Sequence, residues 1–370
     1  MTNRLREIEA LGQAVWIDNI NRELLEDGIL RRLVEEDGIS GVTSNPTIFE
    51  KAMGHSERYD DGFRRVLEET QDAREVFFRL AFEDIRGAAE VLHGVFEATE
   101  GQDGYVSFEL PPELAFDAQG SVDAAKRFRD QIGADNVLIK VPGTAEGVEA
   151  FEELTAAGVS VNVTLLFDVR RYVEIAEAYV RGLERRAQAG EPIDRIASVA
   201  SFFVSRVDSK VDAALDELGG PDDLKGKAAV ANAKIAYEEF GRIFSGSRWE
   251  ALAAKGANVQ RPLWASTSTK NPDYSDTLYV DELIGPDTVN TMPDATIDAA
   301  RDHATAARTV DKDVEEAHRV IERVREAGVD FDDIVARQLV DEGVESFAKS
   351  FDSLIETIAE KAASLSPAAR

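Results

Sequence analysis

The chain has 370 residues, 44% of them hydrophobic and 31% charged, the proportions of a folded globular protein and not of a disordered or fibrous one. Its 42 basic and 71 acidic side chains leave a formal charge of −29, a field that repels nucleic acid and anionic membrane. There is no cysteine, which excludes disulfides and thiolate chemistry, and the four histidines (His55, His93, His303, His318) are not spaced as metal ligands, so neither a metal nor another cofactor is expected.

The opening MTNRLREIEALGQAVW is charged and amphipathic, without the apolar core of a signal peptide. No apolar run approaches the about 20 residues of a membrane span, so a cytoplasmic protein is expected. A first strand is predicted at Gln13–Asp18, then a helix over Arg22–Glu36 and a strand at Ser40–Ser44. A helical insertion follows near 52–103, including Ala73–Phe96. Strands at Tyr105–Glu109, Asn136–Val141 and Val159–Leu165 alternate with helices at Ser121–Ile132, Ala145–Ala156 and Val169–Ala187. After a strand at Ile196–Phe203 comes a second helical insertion over 205–259, with helices at Val207–Glu217 and Ala228–Phe244. Strands at Pro262–Ser268 and Thr288–Met292 precede C-terminal helices within 294–365, Asp311–Ala327 and Asp332–Ala363, and Leu365–Arg370 reads as a frayed tail. Eight strands alternating with helices predict an α/β fold, a (β/α)₈ TIM barrel with extra helices in the insertions and at the C-terminus. No linker divides the chain, so residues 1–370 read as one barrel domain.

Both faces of a parallel barrel strand are buried, so a polar residue within one demands a reason. Alternation puts Lys140 and Leu138 on one side of their strand and Val137, Ile139 and Val141 on the other. It likewise separates Ser107 and Glu109 from Val106, Phe108 and Leu110, and Asn162 and Thr164 from the valines at 161 and 163. In the seventh strand Trp264, Ser266, Ser268 and Lys270 share a side. Asp18, Asn45, Glu109, Lys140, Asn162, Thr164, Ser201 and Lys270 thus converge at the C-terminal ends of the strands, where barrel enzymes build their sites. Taken singly, an Asn or Ser at such a place is more ordinarily a helix cap or a local backbone partner.

Lys140 sits in the apolar run Val137-Leu138-Ile139-Lys140-Val141-Pro142, where burial disfavours the ammonium and makes a free amine available. A free amine attacks a ketone to form a Schiff base, an electron sink for carbon–carbon cleavage, with Glu109 or Asp18 shuttling protons. The competing readings are a lysine snorkelling to solvent or one closed in a plain salt bridge. For a phosphorylated substrate the cations are Arg206, at the end of the sixth strand, and Lys270, after Ser266-Thr267-Ser268-Thr269. Neither a P-loop nor a dinucleotide fingerprint is present.

Gly41-Val42-Thr43-Ser44-Asn45-Pro46-Thr47-Ile48, Leu138-Ile139-Lys140-Val141-Pro142, Val161-Asn162-Val163-Thr164-Leu165-Leu166-Phe167 and Ser201-Phe202-Phe203-Val204-Ser205-Arg206 together resemble the transaldolase family, in its longer bacterial form. The resemblance, from about Trp16 to Met292, implies a class I aldolase barrel with the Schiff base on Lys140. It implies transfer of a dihydroxyacetone unit from sedoheptulose 7-phosphate to glyceraldehyde 3-phosphate, in the pentose phosphate pathway. Asp18 would be the acid/base for carbon–carbon cleavage, and Glu109, through a water near Thr164, the acid/base for imine formation. Thr43, Asn45, Asn162, Ser201 and Phe203 would line the bound sugar, and Arg206, Ser268 and Lys270 its phosphate.

The chain departs from the family where Arg is common, at Lys270, and where Pro and Gly are common, at Phe202 and Ser205. Lysine keeps the charge there but lacks the bidentate fork. The related fructose-6-phosphate aldolases are shorter and generally carry Gln at the position of Glu109 and Tyr at that of Phe203, so both residues favour the transferase. A catalytically silent barrel that binds sugar phosphates is the rival of another class. Phosphorylated sugars are the implied partners, and monomer and homodimer both remain open.

Overall fold

In a computed structural model, which describes residues 3–365, the strands are β1 (Gln13–Ile17), β2 (Ile39–Thr43), β3 (Tyr105–Glu109), β4 (Val137–Pro142), β5 (Val161–Leu166), β6 (Ser198–Phe203), β7 (Gln260–Ala265) and β8 (Thr288–Met292). All pair in parallel in chain order and β8 closes on β1, giving the (β/α)₈ TIM barrel. The predicted tail beyond Leu365 lies outside the described residues.

The main helices are α1 (Arg4–Ala10), α2 (Pro46–His55), α3 (Ala73–Ala98), α4 (Ala118–Ile132), α5 (Ala145–Ala156), α6 (Val169–Gln188), α7 (Ser205–Leu218), α8 (Ala228–Ile243), α9 (Leu278–Asp281), α10 (Asp294–His303), α11 (Val314–Glu326) and α12 (Leu339–Leu365). Side-chain caps start several of them: Thr144 Oγ accepts from Gly147 N at the head of α5, and Asp72 accepts from Arg74 N and Glu75 N at the head of α3. None is long and apolar enough to cross a membrane, among the described residues.

Two apolar layers follow from the strand alternation. Val137, Ile139, Val141, Val161 and Val163 face the helices in the larger core. Trp16, Tyr105, Leu138, Val199, Leu263 and Val289 fill the lower barrel interior. Gly41 admits the indole of Trp16, because a Cβ there would lie 2.3 Å from the ring. At the base Asp103 accepts from the indole nitrogen of Trp16 (2.9 Å) and from Ser40 (2.9 Å).

Three expectations change. The predicted helix Arg22–Glu36 is broken into Arg22–Glu26, Ile29–Arg32 and a π-turn at Leu33–Asp37, because Gly28 takes a left-handed φ of 66°. The helix expected from Asp332 begins as a short turn, Phe331–Asp333, and a π-turn before α12. The alternation assigned to the seventh strand is reversed. Leu263 and Ala265 point into the barrel, whereas Trp264 faces outward, its indole donating to Leu283 O (3.0 Å). The strand ends at Ala265 because Ser266 has φ 56°, and this turn, not strand register, delivers Ser268 and Lys270 to the mouth.

The long helix α12 packs against α2 and α3. Ser353 donates to Glu50 (2.6 Å), and Lys361 Nζ donates to Ser56 O (2.6 Å). A Cβ on Gly54 would come 2.6 Å from Thr357, so that glycine permits the close approach of α12.

Candidate active site

A cavity of about 770 Å³ opens at the C-terminal ends of the strands. Asp18, Thr43, Asn45, Glu109, Lys140, Thr164, Ser201, Phe203, Arg206, Ser268 and Lys270 all line it. Parallel pairing sets Glu109 beside Lys140 and Lys140 beside Asn162 in adjacent strands. The Lys140 side chain is 8% exposed and that of Glu109 13%; their charged atoms lie 3.2 Å apart. Lys140 Nζ also donates to Ser44 O at 3.0 Å, so it is turned inward and does not snorkel.

Asp18 stands at the end of β1, its backbone N–H extending the ladder to Met292 O (2.8 Å). Its Oδ1 accepts from Thr43 Oγ at 2.6 Å. Thr43 Oγ is also 2.7 Å from Thr291 Oγ. With the one Thr43 proton committed to the carboxylate, Thr291 is the donor in that second contact. Burial raises the Asp18 carboxyl above its ordinary value, against the pull of Lys140 and the Thr43 hydrogen bond. Burial raises Glu109 in the same way, again opposed by Lys140. Glu109 Oε2 and Thr164 Oγ are buried at the cavity wall with no hydrogen-bond partner among the described residues.

Asn162 is the sequence-predicted residue that does not reach the cavity. It is fully buried, donating to Ser107 Oγ (3.0 Å) and accepting from Ser201 Oγ (2.6 Å). It thus fixes the Ser201 hydroxyl, which lines the cavity as an acceptor. Asn45 both caps α2, accepting from Ile48 N at 3.0 Å, and lines the cavity.

Arg206 lies over the Phe203 ring, 5.1 Å from its centroid, and pairs with no carboxylate among the described residues. Burial lowers its guanidinium from the ordinary value, which Glu109 opposes, and the group stays cationic throughout the accessible pH range. Lys270 Nζ donates to Ser268 Oγ at 2.7 Å. Among the described residues no group of three or more His, Asp or Glu side chains is placed to hold a metal ion.

Sequence reasoning missed Thr291, for which the eighth strand offered no signal beyond a buried hydroxyl. It also missed the outer wall, where Gly343, Ser346, Phe347 and Ser350 of α12 line the cavity. Their i, i+3, i+4, i+7 spacing marks one helix face, mostly small and polar apart from Phe347, a legible pattern whose distance in sequence from the barrel motifs concealed its destination.

The arrangement offers one buried amine, two carboxyl groups of raised affinity for protons and further cations lining the same cavity. A family model described as Transaldolase/Fructose-6-phosphate aldolase matches residues 15–358. A protein of Trichodesmium erythraeum named Transaldolase is 46% identical, over 99% of this chain and 100% of its own. One from a Nostoc species, named Transaldolase 2, is 47% identical over 99% of each chain. One from Thiobacillus denitrificans, named Transaldolase, is 46% identical over 96% of this chain and 99% of its own.

Proposed function

The chain belongs to the transaldolase/fructose-6-phosphate aldolase family, and from that premise we propose that Lys140 carries its transaldolase reaction as a Schiff base. The reaction moves a dihydroxyacetone unit from sedoheptulose 7-phosphate to glyceraldehyde 3-phosphate, leaving erythrose 4-phosphate and forming fructose 6-phosphate. The observation that carries the assignment is the inward Nζ of Lys140, 3.2 Å from Glu109 in the cavity that Asp18 also lines.

The amine of Lys140 adds to the ketose C2 carbonyl, and loss of water leaves an iminium. Glu109 is the proton carrier for this step and its reversal. Its unpartnered Oε2 and the unpartnered hydroxyl of Thr164 supply hydrogen-bonding capacity for a relaying water. Asp18 takes the proton of the C4 hydroxyl; the C3–C4 bond breaks, its electrons entering the iminium to give an enamine as the aldehyde departs. The enamine C3 then attacks the acceptor aldehyde, and Asp18 returns the proton to the new hydroxyl. Water hydrolyses the restored iminium and frees Lys140.

Thr43, Asn45, Ser201 and Phe203 contact the sugar in this reading, with Asn162 holding Ser201 from behind. Arg206, Ser268 and Lys270 bind the phosphate. The support is a half-buried guanidinium without an acid partner among the described residues, in a protein of charge −29, facing the same cavity.

Borohydride reduction in the presence of fructose 6-phosphate is expected to fix a covalent adduct on Lys140, absent from Lys140→Ala. Folded protein that yields no adduct would overturn the Schiff-base assignment and favour a silent barrel. Free dihydroxyacetone released at an appreciable rate without an acceptor aldehyde would instead indicate plain aldolase chemistry.

A further inference from the structure

Arg206 and the pair Ser268–Lys270 belong to different elements. Arg206 lies in the first turn of α7, and the other two lie in the irregular stretch 266–277 between β7 and α9. That stretch is buried at Thr267, whose hydroxyl donates to Asn290 Oδ1 (2.8 Å), and at Thr277, but between them Lys270, Pro272, Asp273, Ser275 and Asp276 are exposed. Something must set its distance from Arg206 if one phosphate is to touch both.

Two tyrosine–aspartate hydrogen bonds do so, one helical turn apart on α7. Tyr274 Oη donates to Asp212 Oδ2 at 2.6 Å, and Tyr279 Oη donates to Asp208 Oδ2 at 2.9 Å. Asp208 and Asp212 are four residues apart, hence on one face of the helix. The second oxygen of each carboxylate is held from the other side. Asp208 Oδ1 accepts from Ala229 N (2.7 Å) and Asp212 Oδ1 from Gly226 N (3.0 Å). Neither carboxylate is therefore free to swing with the loop.

The fit at Tyr274 is close. Gly226 has φ 69°, and a Cβ there would lie 2.7 Å from the Tyr274 ring, so the ring rests directly on the backbone entering α8. At the strand end Ser205 N donates to Ser266 O (3.0 Å), and the two seryl oxygens are 2.9 Å apart. The loop is thus stitched to α7 at its start and again at Tyr274 and Tyr279, on both sides of Ser268 and Lys270.

We infer that Tyr274 and Asp212, backed by Tyr279 and Asp208, are positioning residues for the substrate phosphate: they hold the loop bearing Ser268 and Lys270 in register with Arg206. The inference rests on the reading of those three residues as the phosphate site.

The test compares kcat/KM for two acceptors, glyceraldehyde 3-phosphate and unphosphorylated glyceraldehyde, in wild type, Arg206→Gln, Tyr274→Phe and Asp212→Asn. Tyr274→Phe removes a hydroxyl and keeps the ring packing. It is expected to lower kcat/KM for the phosphorylated acceptor about tenfold, the scale of one hydrogen bond to a charged group, through KM. The unphosphorylated acceptor should change less than about twofold. The Tyr274→Phe/Asp212→Asn double variant should lose no more than the worse single variant. If Arg206→Gln does not discriminate between the acceptors, the phosphate site itself is misassigned. If Arg206→Gln discriminates but Tyr274→Phe impairs both acceptors alike, or neither, the positioning role is overturned. Should Asp212→Asn fail to fold, Tyr274→Phe alone decides.

Discussion

The Nζ of Lys140 lies 3.2 Å from Oε1 of Glu109, its neighbour across the β3–β4 ladder. The contact follows from register: Cα partners on adjacent parallel strands, both on the inward side, must meet at the barrel mouth. Glu109→Gln keeps the shape and removes the proposed proton carrier. Iminium formation should slow by about 10²–10⁴-fold, the scale of general acid/base catalysis. Rapid-quench borohydride trapping of the approach to the adduct measures it. An unchanged trapping rate would reduce Glu109 to a structural partner of the lysine.

The pH profile carries a sign. Burial raises both Asp18 and Glu109, so each takes up a proton at a higher pH than a solvated carboxylate. If Asp18 is the base for cleavage, as proposed, the acidic limb of kcat/KM should fall above the about 4 of an ordinary carboxyl. The Thr43 hydrogen bond acts against that rise, so Thr43→Val should move the limb further up. Thr291→Val should do the same to a smaller degree by removing the donor behind Thr43, and Thr291→Ser should restore the wild-type limb.

Asp208 is buried, and burial pushes its carboxyl up to about 7. Between the unfolded value of about 4 and that point the native state holds a proton that the unfolded chain has released, so stability falls as pH rises. Asp208→Asn, with oxygen and nitrogen still available to Ala229 N and Tyr279 Oη, removes the dependence. The melting temperature of wild type relative to this variant should therefore drop between pH 4 and 7 and level off above. A constant difference across that range would refute the assignment.

Gly41→Ala places a methyl group inside the indole of Trp16. Neither the strand nor a fully buried tryptophan can move without disturbing the ladder, so a loss of about 1–3 kcal/mol or more is expected. Thr43 ends one of those strands and Asp18 directly follows the other, so activity should fall with the melting temperature, both measured on the same preparation.

Strand alternation was legible because a parallel barrel buries both faces of every strand, so a lysine within valines and isoleucines stands out. Lys140, Glu109 and Thr164 were found by that contrast, together with motifs close in sequence to them. The same rule failed at the seventh strand, where Ser266 turns left-handed and cancels the parity on which the reading of Trp264 and Lys270 relied. It failed at the first predicted helix as well, where Asp27-Gly28 is a helix break that apolar periodicity ignores.

Local pattern therefore settles which residues are driven inward and which chemistry they can do, since burial and charge act on each residue whatever its distant neighbours. Which of them meet is decided by closure of the barrel and by the docking of α12. Asn162 is polar and inward, yet closure commits both ends of its amide to Ser107 and Ser201. Thr291 joins Thr43 only because β8 returns to β1, and Ser346 and Ser350 reach the cavity only because α12 folds back over α2. Contacts between positions hundreds of residues apart leave no trace in a window of ten, and in this protein they set the hydrogen bonds of Asp18 and the outer wall of its cavity.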